Sequence, residues 1–258
     1  MSGVVTAIGY APVKGLGLRQ VDEVELELAG LCENRRFYLI GEDGRLVNGK
    51  TAGRLVRVSA TADHDGTQLA LRLPDGATVD GPVELGEAVE TNFYGRPVTG
   101  RIVVGPYGDA LSELAGQPLE LVRADRPGDG SDRGAEGSIS VVSAGSLEEL
   151  ARQAGEERID ARRFRMLFEI EGVEPHAEDR WAGRRVAFGD AVVRLHGLVG
   201  RCLITAQDPD TGLKSLDTLR VIKGYRSDVE TDEPLPFGAW GGVEQPGRVR
   251  VGDTVEPL

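Results

Sequence analysis

The sequence predicts a mainly β fold with a few helices, an α+β arrangement, and three observations carry that prediction. Apolar and polar residues alternate with period two in several short segments, the mark of strands with one buried face. Strings rich in Gly, Asp and Pro recur about every ten residues, as they do in β-barrels and sandwiches. Helical spacing of apolar residues is confined to three segments.

Along the chain, Val24, Leu26 and Leu28 alternate with Glu23, Glu25 and Glu27 and predict a half-buried strand. RFYLIGEDGRLV, from Arg36 to Val47, predicts a hairpin turning at Glu42-Asp43-Gly44. Val56, Val58 and Ala60, interleaved with Arg57 and Ser59, predict another strand. In QLALRLPDG, Leu69, Leu71 and Leu73 share one face, and the Pro-Asp-Gly turn closes it. GDALSELAGQP sets Leu111 and Leu114 on one helical face, with Gly116 and Pro118 as stops. ADRPGDGSDRGAEG, from Ala124 to Gly137, has no apolar periodicity and reads as a mobile surface loop or as a lid over a nearby site. In SLEELARQAG, Ser146 and Glu149 fit a capping box, Leu147, Leu150 and Ala154 form a stripe, and Gly155 ends the helix. AVVRLHGLVGRCLITAQ reads as one long bent strand closed by the rigid turn DPDTG, where Pro209 fixes φ and Gly212 admits positive φ. A third helix is expected over SLDTLRVIKGY. SDVETDEPLP, from Ser227 to Pro236, is a second acidic loop with the same two readings as the first. Gly-Asp pairs in VAFGDAVVRL and GRVRVGDTVEPL read as bulges that bend barrel strands, placing a barrel in the C-terminal half.

Composition narrows the function. Apolar residues make up 40% of the 258, enough for a full core. A formal charge of −12 lacks the basic footprint of a nucleic-acid binder. No apolar run approaches the roughly 18 residues of a membrane span, and the N-terminus lacks the form of a signal peptide, so a cytoplasmic location is expected. Cys32 and Cys202 are too few for a four-thiolate cluster, and His64, His176 and His196 have no HxxxH spacing, which argues against conventional zinc catalysis. Lysine occurs only at Lys14, Lys50, Lys214 and Lys223 in an arginine-rich chain, which singles out Lys14 near the start.

On residues alone, Cys202 is either a buried packing residue or a reactive one held at a strand end before a rigid turn. Arg201 precedes it and, in a strand, points to the opposite face. Cys32, in a loop with no evident partner, reads as packing. Arg35 follows a turn, and Arg163 and Arg165 flank Phe164 at the entry to a strand. A phosphate-bearing cofactor needs two or three such guanidinium groups.

GRCLITAQDPDTG followed by a KGYR helix, with RFR and HAEDRW upstream, resembles the MOSC domain, in the branch of the mitochondrial amidoxime-reducing components and their bacterial relatives. APVKGL, NRRFYLIGEDGRLV, SAGSLEEL and the closing PFGAWGGVEQPGRVRVGDTV fall in the family's order, so the resemblance spans nearly the whole chain. It implies a smaller β-rich N-terminal domain over residues 1–117 and a β-barrel MOSC domain over 118–258. It also implies a molybdenum cofactor, a pyranopterin dithiolene whose metal takes one protein ligand, here Cys202. Lys14, Arg35, Ser143, Arg165 and Arg201 match the positions that hold the cofactor. The sequence departs from the family's pattern at Gly15 and Gly200, where serine is frequent, at Asn34, where aspartate is usual, and at Met166 and Leu167, which replace proline and asparagine.

The implied activity is reduction of N-hydroxylated small molecules by a molybdenum oxidoreductase. Two cysteines do not suffice for a fused ferredoxin domain, so a separate electron-donor protein is expected. The alternatives are sulfur transfer through a persulfide on Cys202, and a cofactor carrier without turnover.

Overall fold

The computed structural model describes residues 2–258. Seven strands close into a barrel in the order Gly3–Tyr10, Phe168–Glu171, Ile139–Ser143, Pro236–Gln245, Ala191–Gly200, Arg185–Phe188 and Thr254–Pro257, the last returning to the first. The short strand Arg19–Val21 extends one edge of Gly3–Tyr10. All these pairs are antiparallel except Ile139–Ser143 with Phe168–Glu171, a parallel pair joined by the helical crossover that such a pair requires. Inward side chains fill the barrel, among them Val5, Ile8, Val141, Ile170, Val186, Leu195 and Val255, with Phe168 stacked on Phe188 at 5.0 Å. Closure leaves no open edge on the ring.

A second body stands on the first. A five-stranded sheet runs Leu46–Val47, Phe37–Ile40, Glu120–Ala124, Arg96–Val104, Glu84–Phe93, and a three-stranded one runs Ser59–Ala62, Gln68–Arg72, Thr78–Pro82. Helix α1 (Tyr107–Ala115) closes their shared core of Leu16, Phe37, Leu39, Leu55, Leu71 and Leu111. Helices α2 (Ala144–Ala154) and α3 (Thr218–Arg226) pack together on the barrel's flank, over Val142, Phe164 and Phe237. The sheets cross the expected 117/118 boundary in both directions. Gly3–Tyr10 belongs to the barrel, Glu23–Leu26 pairs with Gly247–Arg250, and Glu120–Ala124 belongs to the second body. No helix among the described residues is long and apolar enough to cross a membrane.

Several local expectations are corrected. Residues Gly53–Arg57 form a 3-10 turn, with the strand starting at Ser59. The buried residues are Leu55 and Val58, three apart, which is the repeat of that helix rather than of a strand. Helix α2 is capped by Ser143, whose Oγ accepts from the Ser146 N–H, so Ser146 lies inside the first turn. Asp217 caps α3, which therefore starts at Thr218. The long strand ends at Gly200, and Leu203–Ala206 is a 3-10 turn. Gly189 and Gly252 sit in turns between strands, and the barrel bends instead through three register shifts between Ala191–Gly200 and Pro236–Gln245. The segment from Ala124 to Gly137 is packed rather than projecting: Gly128, Ser131 and Gly134 are buried, and Gly130 lies directly against the Arg35 carbonyl.

Candidate active site

A cleft opens between the two bodies. Its walls bring together Lys14, Arg35, Arg165, Arg201 and Cys202, which lie far apart in sequence. Asp132 and Arg133 from the first acidic loop also line it, as do Asn48, Tyr94 and Trp240 near its mouth.

Cys202 stands between the barrel strand that ends at Gly200 and the 3-10 turn Leu203–Ala206, with its side chain half-buried. The turn is what fixes it. Thr205 donates to the Cys202 carbonyl through both N–H, at 3.2 Å, and Oγ1, at 3.1 Å, and its hydroxyl meets the Thr218 hydroxyl at 2.6 Å at the start of α3. The RC-x-x-T spacing thus locks the thiol's backbone to a helix. The DPDTG turn folds on Asp208, which accepts from the Asp210 and Thr211 amides, and is tied back by Arg163 to the Gln207 carbonyl at 2.7 Å and by Arg162 to Asp210 at 2.8 Å. Cys32 is buried outside the cleft, and burial, together with Glu27, pushes its thiol up to about 12.

The cations are unevenly compensated. Lys14 is 7% exposed; its Nζ donates to Asp132 at 2.5 Å and to the Gly130 carbonyl at 3.0 Å. Burial pushes Lys14 down to about 8 despite Asp132, and Arg35 and Arg165 add repulsion. Asp132, against its own burial, is held down at about 2 by Lys14 and Arg35. Arg133 spans the opposite wall, paired with Glu233 at 2.5 Å and lying over the Trp240 ring at 4.8 Å. Arg165 donates to the Leu16 carbonyl at 2.7 Å but has no ion pair, and burial, then Arg35, push it down to about 10. Among the described residues, Arg35 has no ion pair either. Two guanidinium groups therefore face one cleft without a carboxylate of their own, an arrangement that an incoming anion relieves.

Backbone strain is gathered at the same place. Five non-glycine residues among those described have positive φ, and three of them line this cleft: Arg35 at 53°, Tyr94 at 54° and Arg165 at 53°. Left-handed conformation costs a side-chain-bearing residue about 1–2 kcal/mol, and such outliers gather at functional sites.

Arg201 has a different role from Arg35 and Arg165. Its guanidinium donates to the Phe237 carbonyl at 2.8 Å, to the Phe164 carbonyl at 3.1 Å and to Met166 Sδ at 3.0 Å, and it lies over the Phe164 ring. Burial pushes it down to about 9, with the Cys202 charge opposing that shift. It cross-links the strand end beside Cys202 to the Arg165 turn. Ser143, expected beside these residues, lies elsewhere. It is fully buried, does not line the cleft, and spends its hydroxyl on Ser146 and on Glu178, 2.9 Å away. HAEDRW and KGYR likewise serve the frame: Glu178 anchors the α2 corner, and Arg226 bridges Asp179 at 2.6 Å and the Pro236 carbonyl at 2.7 Å.

Four of the five departing residues, Gly15, Asn34, Met166 and Gly200, line the cleft. Gly15 lines the cleft at φ 93°, where a serine would be strained. Asn34 Oδ1 accepts from the Ala11 N–H at 3.3 Å. Met166 offers its sulfur to Arg201. A Cβ on Gly200 would lie 2.7 Å from Glu233 Cβ and 3.0 Å from the Pro234 carbonyl, and the Gly200 N–H donates to Glu233 at 3.0 Å. Asp132, Arg133 and Glu233 were not singled out from sequence. They lie in the two acidic loops, and only the fold pairs Arg133 with a residue 100 positions away.

Residues 128–256 match the family model of the MOSC domain, and residues 2–105 that of the MOSC N-terminal beta barrel domain. The chain is 30% identical over 285 residues to mitochondrial amidoxime-reducing component 1 of Mus musculus, covering 98% of this chain and 82% of that protein. Mitochondrial amidoxime-reducing component 1 of Homo sapiens is 28% identical over 284 residues, with 98% and 82% covered. Among solved structures, the YUAD protein from Bacillus subtilis aligns over 100% of this chain and 96% of that chain, at 14% identity and a TM-score of 0.48.

Proposed function

The chain belongs to the MOSC family, and from that premise we propose that it is a molybdenum-cofactor-dependent oxidoreductase that reduces N-hydroxylated small molecules, with Cys202 as the protein ligand to the metal. One observation carries the reading: a half-buried thiol shares a cleft with two arginines that have no carboxylate partner and are both held at positive φ. That donor set fits a cofactor with a soft metal at one end and a phosphate at the other. The relatives' name, amidoxime-reducing component, supports the N-hydroxylated substrate class.

When bound, the cofactor supplies two-electron oxygen-atom chemistry. The chain's own residues bind and orient. Arg35 and Arg165 would hold the phosphate, with Lys14 adding charge while Asp132 keeps the lysine protonated below about pH 8. Cys202 would ligate as the thiolate, which a metal stabilises outright. Arg201 positions that cysteine through the Phe237 and Phe164 carbonyls. Asn48, Tyr94 and Trp240 border the opening where a substrate would enter. Electrons would come from a separate protein, and the reading includes a cytoplasmic location.

The test is metal analysis of protein made in a host that synthesises the cofactor, followed by turnover of an N-hydroxyamidine with a chemical reductant. Molybdenum at about one per chain, its loss in Cys202→Ala with the fold retained, and amidine formation are the expected results. Molybdenum-free protein carrying sulfane sulfur on Cys202 would instead establish sulfur transfer. Metal without turnover would reduce the protein to a carrier.

A further inference from the structure

We propose that Glu27, Cys32 and His64 form a second, separate metal site, and that zinc(II) is the ion its donors suit. The three residues come from different segments. Glu27 follows the strand Glu23–Leu26 and exchanges two backbone hydrogen bonds with Gly30, at 2.9 and 2.8 Å. Cys32 stands just beyond that tight turn and is 2% exposed. His64 lies in the turn between Ser59–Ala62 and Gln68–Arg72, where the Asp63 carboxylate accepts from the Thr67 and Gln68 amides at 2.7 Å each. One thiol, one carboxylate oxygen and one ring nitrogen lie within 4.8 Å of one another, and His64 Nε2 is 3.1 Å from Glu27 Oε1.

The donor chemistry selects the ion. Zinc takes thiolate sulfur at about 2.3 Å and imidazole or carboxylate donors at about 2.0–2.2 Å, so paired ligands around it stand about 3–4 Å apart. The present triangle, up to 4.8 Å on a side, is wider than that spacing, so binding would draw the side chains inward. Calcium and magnesium prefer oxygen donors alone and would leave the sulfur unused. Binding forms a zinc–sulfur bond and releases the Cys32 thiol proton to solvent; the ion keeps its oxidation state, so no electron acceptor is needed. Thiolate and carboxylate then balance the ion's two charges. That neutrality matters because Arg36 lies close enough to interact with Cys32, and it is buried with Nε and one terminal nitrogen unbonded. A neutral centre tolerates this cation, and a sulfur bearing negative charge gives its free N–H groups an acceptor. Glu27 and His64 are half exposed, which leaves a fourth position to water.

Such a site would fasten the turn of the three-stranded sheet to the loop that carries Arg35 three residues after Cys32, and so stiffen one wall of the cleft. The experiment uses the full chain, stripped of metal with a chelator under reducing conditions and titrated with cobalt(II), then zinc(II). About one cobalt per chain should give a thiolate charge-transfer band and tetrahedral visible bands that zinc removes. The bands should persist in Cys202→Ser and vanish in Cys32→Ser. His64→Ala alters an exposed side chain, so it tests the site even if Cys32→Ser does not fold. It should weaken zinc at least tenfold against a chromophoric chelator. No cobalt bands in the wild type, bands that survive Cys32→Ser, or zinc affinity unchanged in His64→Ala would each overturn the proposal.

Discussion

Gly200→Ser adds a side chain for which the contacts around Gly200 leave no room, and it should destabilise this chain. The new Cβ would meet Glu233 Cβ and Oε2 at 2.7 Å and the Pro234 carbonyl at 3.0 Å, so the loop must move. Overpacking of that kind costs about 2 kcal/mol. Glu233→Ala removes the Arg133 ion pair and the acceptor of the Gly200 N–H. With the paired side chains 25% and 36% exposed, solvent screening limits that loss to about 2 kcal/mol. If the two effects were independent, the double variant would lose about 4 kcal/mol. Alanine keeps the Cβ at position 233, and the Pro234 carbonyl is backbone, so most of the clash survives in the double variant, which should lose nearly that sum, about 3–4 kcal/mol. Urea unfolding of the four proteins at neutral pH, with equal slopes as the condition for comparison, gives the cycle. A double variant no less stable than Glu233→Ala alone would refute the claim that the Glu233 Cβ and the Pro234 carbonyl leave residue 200 no room for a side chain.

Lys14, pushed down to about 8, loses its charge as pH rises through that value, so phosphate affinity of the cofactor-free protein should fall above pH 8, with the inflection absent in Lys14→Met. Its folded pKa lies below the ordinary 10.5, so the unfolded chain binds the proton more tightly; through this group, stability should rise between about pH 8 and 10.5, visible as a urea midpoint that climbs in the wild type and not in Lys14→Met. Arg35→Asn relieves both the left-handed backbone, which asparagine tolerates, and the repulsion with Arg165. The metal-free protein should gain about 1 kcal/mol, or about 2–4 °C in Tm, while molybdenum content falls. Thr205→Val leaves the buried Thr218 hydroxyl without its partner and removes one of the two hydrogen bonds to the Cys202 carbonyl, for a loss of about 1–3 kcal/mol in urea unfolding.

What the sequence disclosed follows from range. Period-two patterns such as Val24 and Leu26 are local, and the strand formed there, although Leu28 falls outside it and is exposed. Residues 55–58 misled because Val56, Val58 and Ala60 imitate a strand while Leu55 and Val58 do the packing. Of the basic residues and the serine carried over from the family, the structure gathers Lys14, Arg35, Arg165 and Arg201 with Cys202 and leaves out Ser143. Ser143 is left out because a helix start and a buried carboxylate claim its hydroxyl before a ligand can. The partners Asp132 and Glu233 were invisible because their loops have no periodicity and their meaning lies in pairings that only the tertiary fold makes.

The seam formed by Gly3 and Val4 against Val255 and Thr254 has a temporal consequence. During synthesis Ile8–Tyr10 can pair early with Arg19–Val21, but Gly3 and Val4 must wait on that edge until Thr254–Pro257 has left the ribosome. Its partner on the opposite edge, Phe168–Glu171, also comes far later in the chain. Contacts so distant in sequence make folding slow. Lys14 lies just after that waiting strand, so the cationic pocket is assembled late. A cofactor delivered to it would arrive at a finished protein rather than a nascent one.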